Sequence, residues 1–175
     1  MDLAHRFEDA GADLLTFHPR VAPDRRARHP KWSYIGLIKQ AVSIPVFGNG
    51  NVFDRNDART MIAQTACDGI ALGRMAVAKP WLFAEWTDEF TPDADVYRRT
   101  AMKMTHLLVR RFDPRMALKR FKKFSLYFAA NFKFGHTLHK SILKATTMEA
   151  AQEALEAFFA TAPELSSRPN LNLFN

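Results

Sequence analysis

Three observations in this chain predict an α/β part followed by an all-α part. Helical and strand patterns alternate as far as about Trp86, after which no strand signal remains. Within the first part, Ile44-Pro45-Val46-Phe47-Gly48-Asn49-Gly50-Asn51 and Asp68-Gly69-Ile70-Ala71-Leu72-Gly73-Arg74 are both short apolar runs that end in glycine and lead into a helical pattern. Two such units in succession are what a β/α barrel uses to seat a phosphate on its last two strands. Finally, the segment from Tyr97 to Lys144 holds thirteen Lys and Arg against one acid, Asp113. The expected fold is an incomplete β/α (TIM-type) barrel with about the last three parallel strands, plus a C-terminal helical bundle. Too little chain precedes the glycine units to complete the barrel.

In order, residues 2–10 read as a helix that Gly11 can end. Asp13-Leu14-Leu15-Thr16-Phe17 is a short buried strand, and a polar, Arg- and Pro-rich loop runs from His18 to Lys31. Ile35, Ile38 and Val42 stand at helical spacing within 33–42. Pro45 opens the next strand. Asp54 can cap a helix through Gln64, with Asp57 at the third position as in a capping box. Residues 68–72 give a third strand, and the βαβαβα order calls for a parallel sheet with right-handed crossovers.

Beyond Trp86, Pro92 fits the first turn of a helix begun by Thr91, with Tyr97, Ala101, Met104 and Leu108 on one face as far as about Phe112. Asp113-Pro114 breaks it. A second helix turns Leu118, Phe121, Phe124 and Phe128 inward, and a third runs from about Phe134 to Lys144. A fourth starts at Thr146-Thr147-Met148-Glu149, read as a capping box, and reaches about Phe159. The tail from Pro163 is expected to fray. The expected divisions are therefore 1–88, 89–162 and a tail, 163–175.

Composition narrows the classes. The chain has 175 residues, room for one sizeable core or two small ones, and its 47% apolar content is ordinary for a globular protein. No apolar run approaches the ~18 residues that span a bilayer, and the N-terminus lacks the apolar stretch of a signal peptide. One cysteine excludes an internal disulfide framework and gives no metal-ligand spacing, so a cytoplasmic location is the default. The net charge is +7, and the 97–144 segment alone carries +12, which leaves −5 on the remainder. That asymmetry points to a polyanionic partner for the basic segment.

Gly48 and Gly50 let the backbone approach a ligand closely, and the amides that follow lie near a helix N-terminus, a geometry that favours an anion. Gly73 repeats the arrangement on the next strand, and Arg74 adds a forked, charged donor suited to phosphate. Two ordinary glycine-containing turns are the alternative; their pairing on successive strands, with Arg74 attached, favours the phosphate site. His18 and Arg20 lie just past the first strand, on the same rim. In a loop that also holds Arg25, Arg26 and Arg28, a solvated role for Arg20 is as reasonable as substrate contact. Cys67 precedes the third strand, on the face away from the chemistry, and reads as a small buried residue. Arg115, Lys119, Lys122 and Lys123 recur at i, i+4, i+7 and i+8 on one helix face, opposite the phenylalanines. Such a face is often only solvated. With almost no acid to offset it, contacts to a nucleic-acid backbone become the better reading, and they would position a substrate without reading sequence. Trp81 reads as a hinge packing the two parts together.

These residues resemble the tRNA-dihydrouridine synthases, flavoenzymes that reduce a uridine in tRNA. Members carry a strand ending in His-Gly-Arg, then I-P-V-x-x-N-G-[DE], then D-G-x-x-x-G-R-x5-P-W-x-F. Here stand Phe17-His18-Pro19-Arg20, Ile44-Pro45-Val46 with Asn49-Gly50-Asn51, and Asp68-Gly69 through Gly73-Arg74 to Pro80-Trp81-Leu82-Phe83. The helical remainder, with Lys-Arg-Phe at 119–121 and its Thr-x-x-[DE] start on the last helix, looks like the family's C-terminal tRNA-binding domain. The likeness covers nearly the whole chain.

The resemblance implies a barrel holding FMN, NADPH as hydride source, and a uridine turned out of the tRNA stack. By carry-over, Asn49, Gly50, Asn51, Gly73 and Arg74 hold the FMN phosphate with His18 nearby, while Arg115, Lys119, Lys122 and Lys123 face tRNA. Pro19 replaces a glycine and removes a backbone donor; Asn51 replaces an acid. Only the last three of eight strands would be present. No catalytic residue is assigned, because the family's proton-delivering cysteine would lie upstream of residue 1. So would the early flavin-contacting segment and the lysine on the strand before His18. The expectation is a C-terminal portion of such an enzyme, catalytically silent alone, with tRNA and a missing N-terminal half as partners. Three strands would also leave an open edge and an uncovered apolar face, an aggregation hazard. The competing expectations are a non-catalytic RNA-binding protein built on the same remnant, and a different phosphate-binding barrel enzyme, which would leave the basic helices unexplained.

Overall fold

The computed structural model describes residues 2–21, 28–88 and 90–169. Arg25 and Arg26 of the polar loop, and residues 170–175 of the expected tail, lie outside the described residues. Main-chain packing divides the chain into two compact units, Met1–Gly73 and Arg74–Asn175. The division falls after Gly73, whereas the change in sequence pattern falls near residue 88.

The first unit runs α1 (Asp2–Asp9), β1 (Leu15–Phe17), α2 (Ser33–Ala41), β2 (Val46–Asn49), α3 (Arg55–Thr65) and β3 (Gly69–Ala71). The strands form one parallel sheet in the order β1-β2-β3. Gly11, at φ +90°, closes α1: its N–H donates to the Glu8 carbonyl at 2.9 Å, and the Ala12 N–H to Phe7 at 3.0 Å. Asp54 caps α3 as the sequence implies, its carboxylate accepting from the Asp57 N–H at 2.8 Å. Asp57 in turn accepts from the Phe53 N–H at 2.9 Å. The core packs Ile35 of α2, Val46 of β2 and Met61 of α3, all fully buried. Alternation along β2 sends Val46 and Gly48 to this helix-covered side and Phe47 and Asn49 to the other.

The second unit contains α4 (Arg74–Ala78), α5 (Leu82–Thr87), α6 (Ala94–Arg111), α7 (Pro114–Phe128), a 3-10 turn (Ala129–Asn131), α8 (Gly135–Lys144) and α9 (Met148–Ala160). Its core is aromatic. Phe121, Phe128 and Phe132 are fully buried with Leu138, Ile142 and Leu155, and Phe132 meets Tyr97, Phe128, Phe158 and Phe159 at ring-centroid distances of 5.1–5.6 Å. Burial, helped by the charge of Glu85, pushes the Tyr97 hydroxyl up to about 12. Trp81, expected as a hinge, packs edge-on against Tyr97 at 4.7 Å within this unit. Asn131 ties α4 to α7, its amide donating to the Ala78 and Phe128 carbonyls at 3.0 and 2.9 Å.

Three local expectations change. Helix α6 begins at Ala94, because the Asp93 carboxylate accepts from the Val96 N–H at 2.8 Å; Thr91 and Pro92 precede the helix. Helix α9 is capped by Thr147, whose hydroxyl accepts from the Ala150 N–H at 3.2 Å, so the pattern read from Thr146 to Glu149 is out by one residue. The start of the tail is docked rather than frayed. Leu165 makes an antiparallel bridge with Phe132, the Ser166 N–H donates to Asn131 at 2.8 Å, and Glu164 pairs with Lys133.

Candidate functional site

A parallel sheet places all its C-terminal strand ends on one edge, and the register here pairs Phe17 with Gly48 and Asn49 with Ala71. His18, Asn49-Gly50-Asn51 and Leu72-Gly73 therefore leave the sheet on the same rim. Gly50 (φ +118°) and Asn51 (φ +55°) are successive left-handed residues that turn the chain sharply at the tip of β2. The turn is braced on several sides. His18 Nδ1 lies 3.2 Å from the Asn49 carbonyl, the Trp32 indole N–H donates to the Gly50 carbonyl at 2.9 Å, and the Asn49 amide donates to the Ala71 carbonyl at 2.9 Å. Arg20 reaches across the same turn, donating from Nη2 to Asn51 Oδ1 at 3.3 Å and to the Arg28 carbonyl at 2.8 Å.

Gly48 has a different role from the one its position suggested. A Cβ there would stand 2.5 Å from Met61 Sδ and 3.3 Å from Cys67 Sγ, so it is a packing glycine on the helix-covered side of β2. The N-terminus of α3 is likewise occupied, because Asp54 accepts from the Asp57 N–H and Asp57 from the Phe53 N–H. Gly73 is exposed, with open space where a Cβ would stand, and Arg74 opens α4 in the second unit. Cys67 is buried and free, as its place before β3 implied. The sequence reading gave Trp32 no role in the turn. A lone tryptophan between the polar loop and α2 says nothing about the carbonyl it will meet.

In the second unit, the four basic residues of α7 that the sequence singles out (Arg115, Lys119, Lys122 and Lys123) divide between two grooves. Arg115, Lys119 and Lys122 border one of about 800 Å³, lined also by Phe112, Leu118, Met148 and Glu149. Lys123 borders another, of about 240 Å³, with Arg120 and Tyr127. Lys122 is partly committed, its ammonium donating to the Leu143 carbonyl in the last turn of α8 at 2.9 Å. Arg120 holds its guanidinium carbon 4.3 Å from the centroid of the Phe112 ring. No described helix is long and apolar enough to cross a membrane, and no metal-binding cluster of His, Cys, Asp and Glu occurs among the described residues.

A parallel β/α sheet with glycine-bearing turns on one rim, followed by a basic helical unit, defines a mixed α/β and all-α class. Residues 1–162 match the family model for dihydrouridine synthase (Dus), and the chain belongs to that family. A probable tRNA-dihydrouridine synthase of Mycobacterium tuberculosis (strain CDC 1551 / Oshkosh) is 30% identical over 175 residues, which cover 93% of this chain and 44% of the relative. Its counterpart in Mycobacterium leprae is 31% identical over 157 residues, covering 85% and 41%. The tRNA-dihydrouridine synthase B of Pseudomonas putida is 40% identical over 85 residues, covering 49% and 25%. The chain thus spans less than half the length of the curated relatives it matches.

Proposed function

We propose that this chain carries part of the flavin site and the RNA-binding helices of a tRNA-dihydrouridine synthase, an oxidoreductase that reduces uridine in tRNA in the cytoplasm. Residues 1–88 belong on this reading to an FMN-binding β/α barrel and 89–162 to the tRNA-binding domain, with NADPH as reductant. The observation that supports it best is the single rim from which His18, the Asn49–Asn51 turn and Gly73 all emerge.

The residues present fit a phosphate group. Two successive left-handed residues turn the main chain sharply at the tip of β2, and Arg20 Nε beside them is buried without an acceptor among the described residues. Gly50, Asn51 and Gly73 would hold phosphate oxygens by their amides, Arg74 by its guanidinium, and Asn49 and His18 would keep the turn in shape. When bound, FMN supplies hydride transfer between a nicotinamide and the uracil ring. Reduction of the ring double bond also needs a proton on the second carbon. That acid, and the remaining strands of a closed barrel, would come from residues outside these 175.

The test is FMN binding followed by quenching of flavin fluorescence. The chain binds FMN, and Arg74→Ala weakens binding by about tenfold or more, the value of a charge-assisted hydrogen bond. With FMN, NADPH and unmodified tRNA, the 175-residue chain alone forms no dihydrouridine; turnover would overturn the partial-site reading. Salt-sensitive tRNA binding without FMN binding would favour a non-catalytic RNA-binding protein.

A further inference from the structure

The larger groove of the helical unit has a composition that a backbone-tracking surface does not need. Its apolar lining includes Leu118 and Met148, both buried, and Phe112, which is 37% exposed at the C-terminal end of α6. Arg115 and Lys119 stand exposed on α7 at its border. Its volume of about 800 Å³ lies within the range of sites that enclose small organic groups. A duplex contacts protein through rows of phosphates and gains nothing from an apolar recess. An unpaired base, in contrast, has an apolar face to bury and a phosphate to neutralise. It stacks readily on an aromatic ring beside basic side chains.

We propose that this groove takes one unstacked nucleotide of single-stranded RNA, with its base against Phe112, Leu118 and Met148 and its phosphate on Arg115 and Lys119. The proposal rests on the RNA-binding reading of the helical unit and sharpens it: this unit prefers loops or ends with a free base over continuous duplex. The occupant's charge follows from the surroundings, because the 97–144 segment holds thirteen basic residues and one acid. Glu149 is the one acid among the described lining residues, and it opposes the phosphate. Arg120, standing over the Phe112 ring, keeps that ring in place from the neighbouring groove.

The experiment titrates the full chain into labelled ten-nucleotide RNAs, single-stranded and duplex, by fluorescence anisotropy. Phe112→Leu keeps an apolar side chain but removes the ring. It weakens single-strand binding about fivefold or more, the lower end of a base–aromatic stack, and leaves duplex binding unchanged. Glu149→Gln tightens single-strand binding, whereas Glu153→Gln, an exposed acid one turn further along α9, leaves it unchanged. In a second measurement on the unaltered chain, a 5-iodouridine-substituted oligonucleotide crosslinks under light to Phe112 or Met148. Equal loss of single-strand and duplex binding in Phe112→Leu, no loss of either, or crosslinks mapping only outside the groove would each overturn the nucleotide site while the broader RNA-binding reading stands. Absence of any RNA binding by the unaltered chain would overturn both.

Discussion

At the scale of single residues, Gly50 and Asp68 show how narrowly the two ends of the strands are specified. Gly50 sits at φ +118°, and a Cβ there would stand 2.7 Å from His18 Nδ1 and 2.8 Å from Pro30 Cγ. Gly50→Ala therefore combines backbone strain with displacement of the ring that meets the Asn49 carbonyl. The expected loss is about 1–3 kcal/mol in urea unfolding of the chain. Asp68 works at the opposite end of the strands. One carboxylate oxygen accepts from the Val46 N–H at 2.7 Å and from Lys39 Nζ at 2.8 Å, joining the starts of β2 and β3 to α2. The Lys39 hydrogen bond, followed by that of Val46, holds the Asp68 carboxyl below its ordinary value of 3.8. A depressed carboxyl stabilises the fold fully above that value, and its contribution disappears as pH falls through the folded-state pKa. Unfolding midpoints followed from neutral to about pH 2.5 should fall less steeply in Asp68→Asn than in the parent; parallel curves would remove Asp68 from the acid response.

Helices in this chain are set by their ends as much as by their faces. The apolar faces of α6 and α7 were readable from spacing alone, since Tyr97, Ala101 and Leu108, and Leu118, Phe121, Phe124 and Phe128, recur at intervals that only a helix brings together. Their starts were less legible where two capping residues stand near each other. Thr91 and Asp93 both qualify before α6, as do Thr146 and Thr147 before α9, and local sequence does not say which hydroxyl or carboxylate will face the first free N–H groups. In α9 it is the Thr147 hydroxyl that meets the Ala150 N–H. Thr147→Ala should cost about 1 kcal/mol in urea unfolding, against about 0.3 kcal/mol or less for Thr146→Ala. Equal costs would return the cap to the residue first read from the sequence.

For the molecule as a whole, the feature with consequences is apolar surface on the first unit. Leu3, Phe7, Tyr34 and Leu37 are 46–61% exposed and line a groove of about 410 Å³ beside β1, whose outer edge has no partner strand among the described residues. Such an edge beside an apolar groove invites association between copies. Leu37→Lys should raise the concentration at which light scattering begins. It should change urea stability by about 0.5 kcal/mol or less, as expected for an exposed position. Unchanged scattering would place the source of association elsewhere. The helical unit follows another logic, with a closed aromatic core, while the thirteen basic residues of its 97–144 segment are all exposed or half-buried.

From its order of residues alone, the chain determined the sequence of helices and strands, the parallel sheet, the shared rim of the glycine-bearing turns and the basic character of the helical part. Each of these depends on near neighbours: a period of two or of 3.6, a glycine where a strand ends, charges repeating on one helix face. Only the tertiary structure decided that Gly48 is a packing residue, that Trp32 and Arg20 brace the turn at Gly50 and Asn51, and that Lys123 faces a different groove from Arg115 and Lys119. It also decided that the start of the tail docks through Leu165. Those outcomes are set by residues tens of positions apart competing for one volume or one carbonyl, and the spacing along a chain carries no record of which of them will meet.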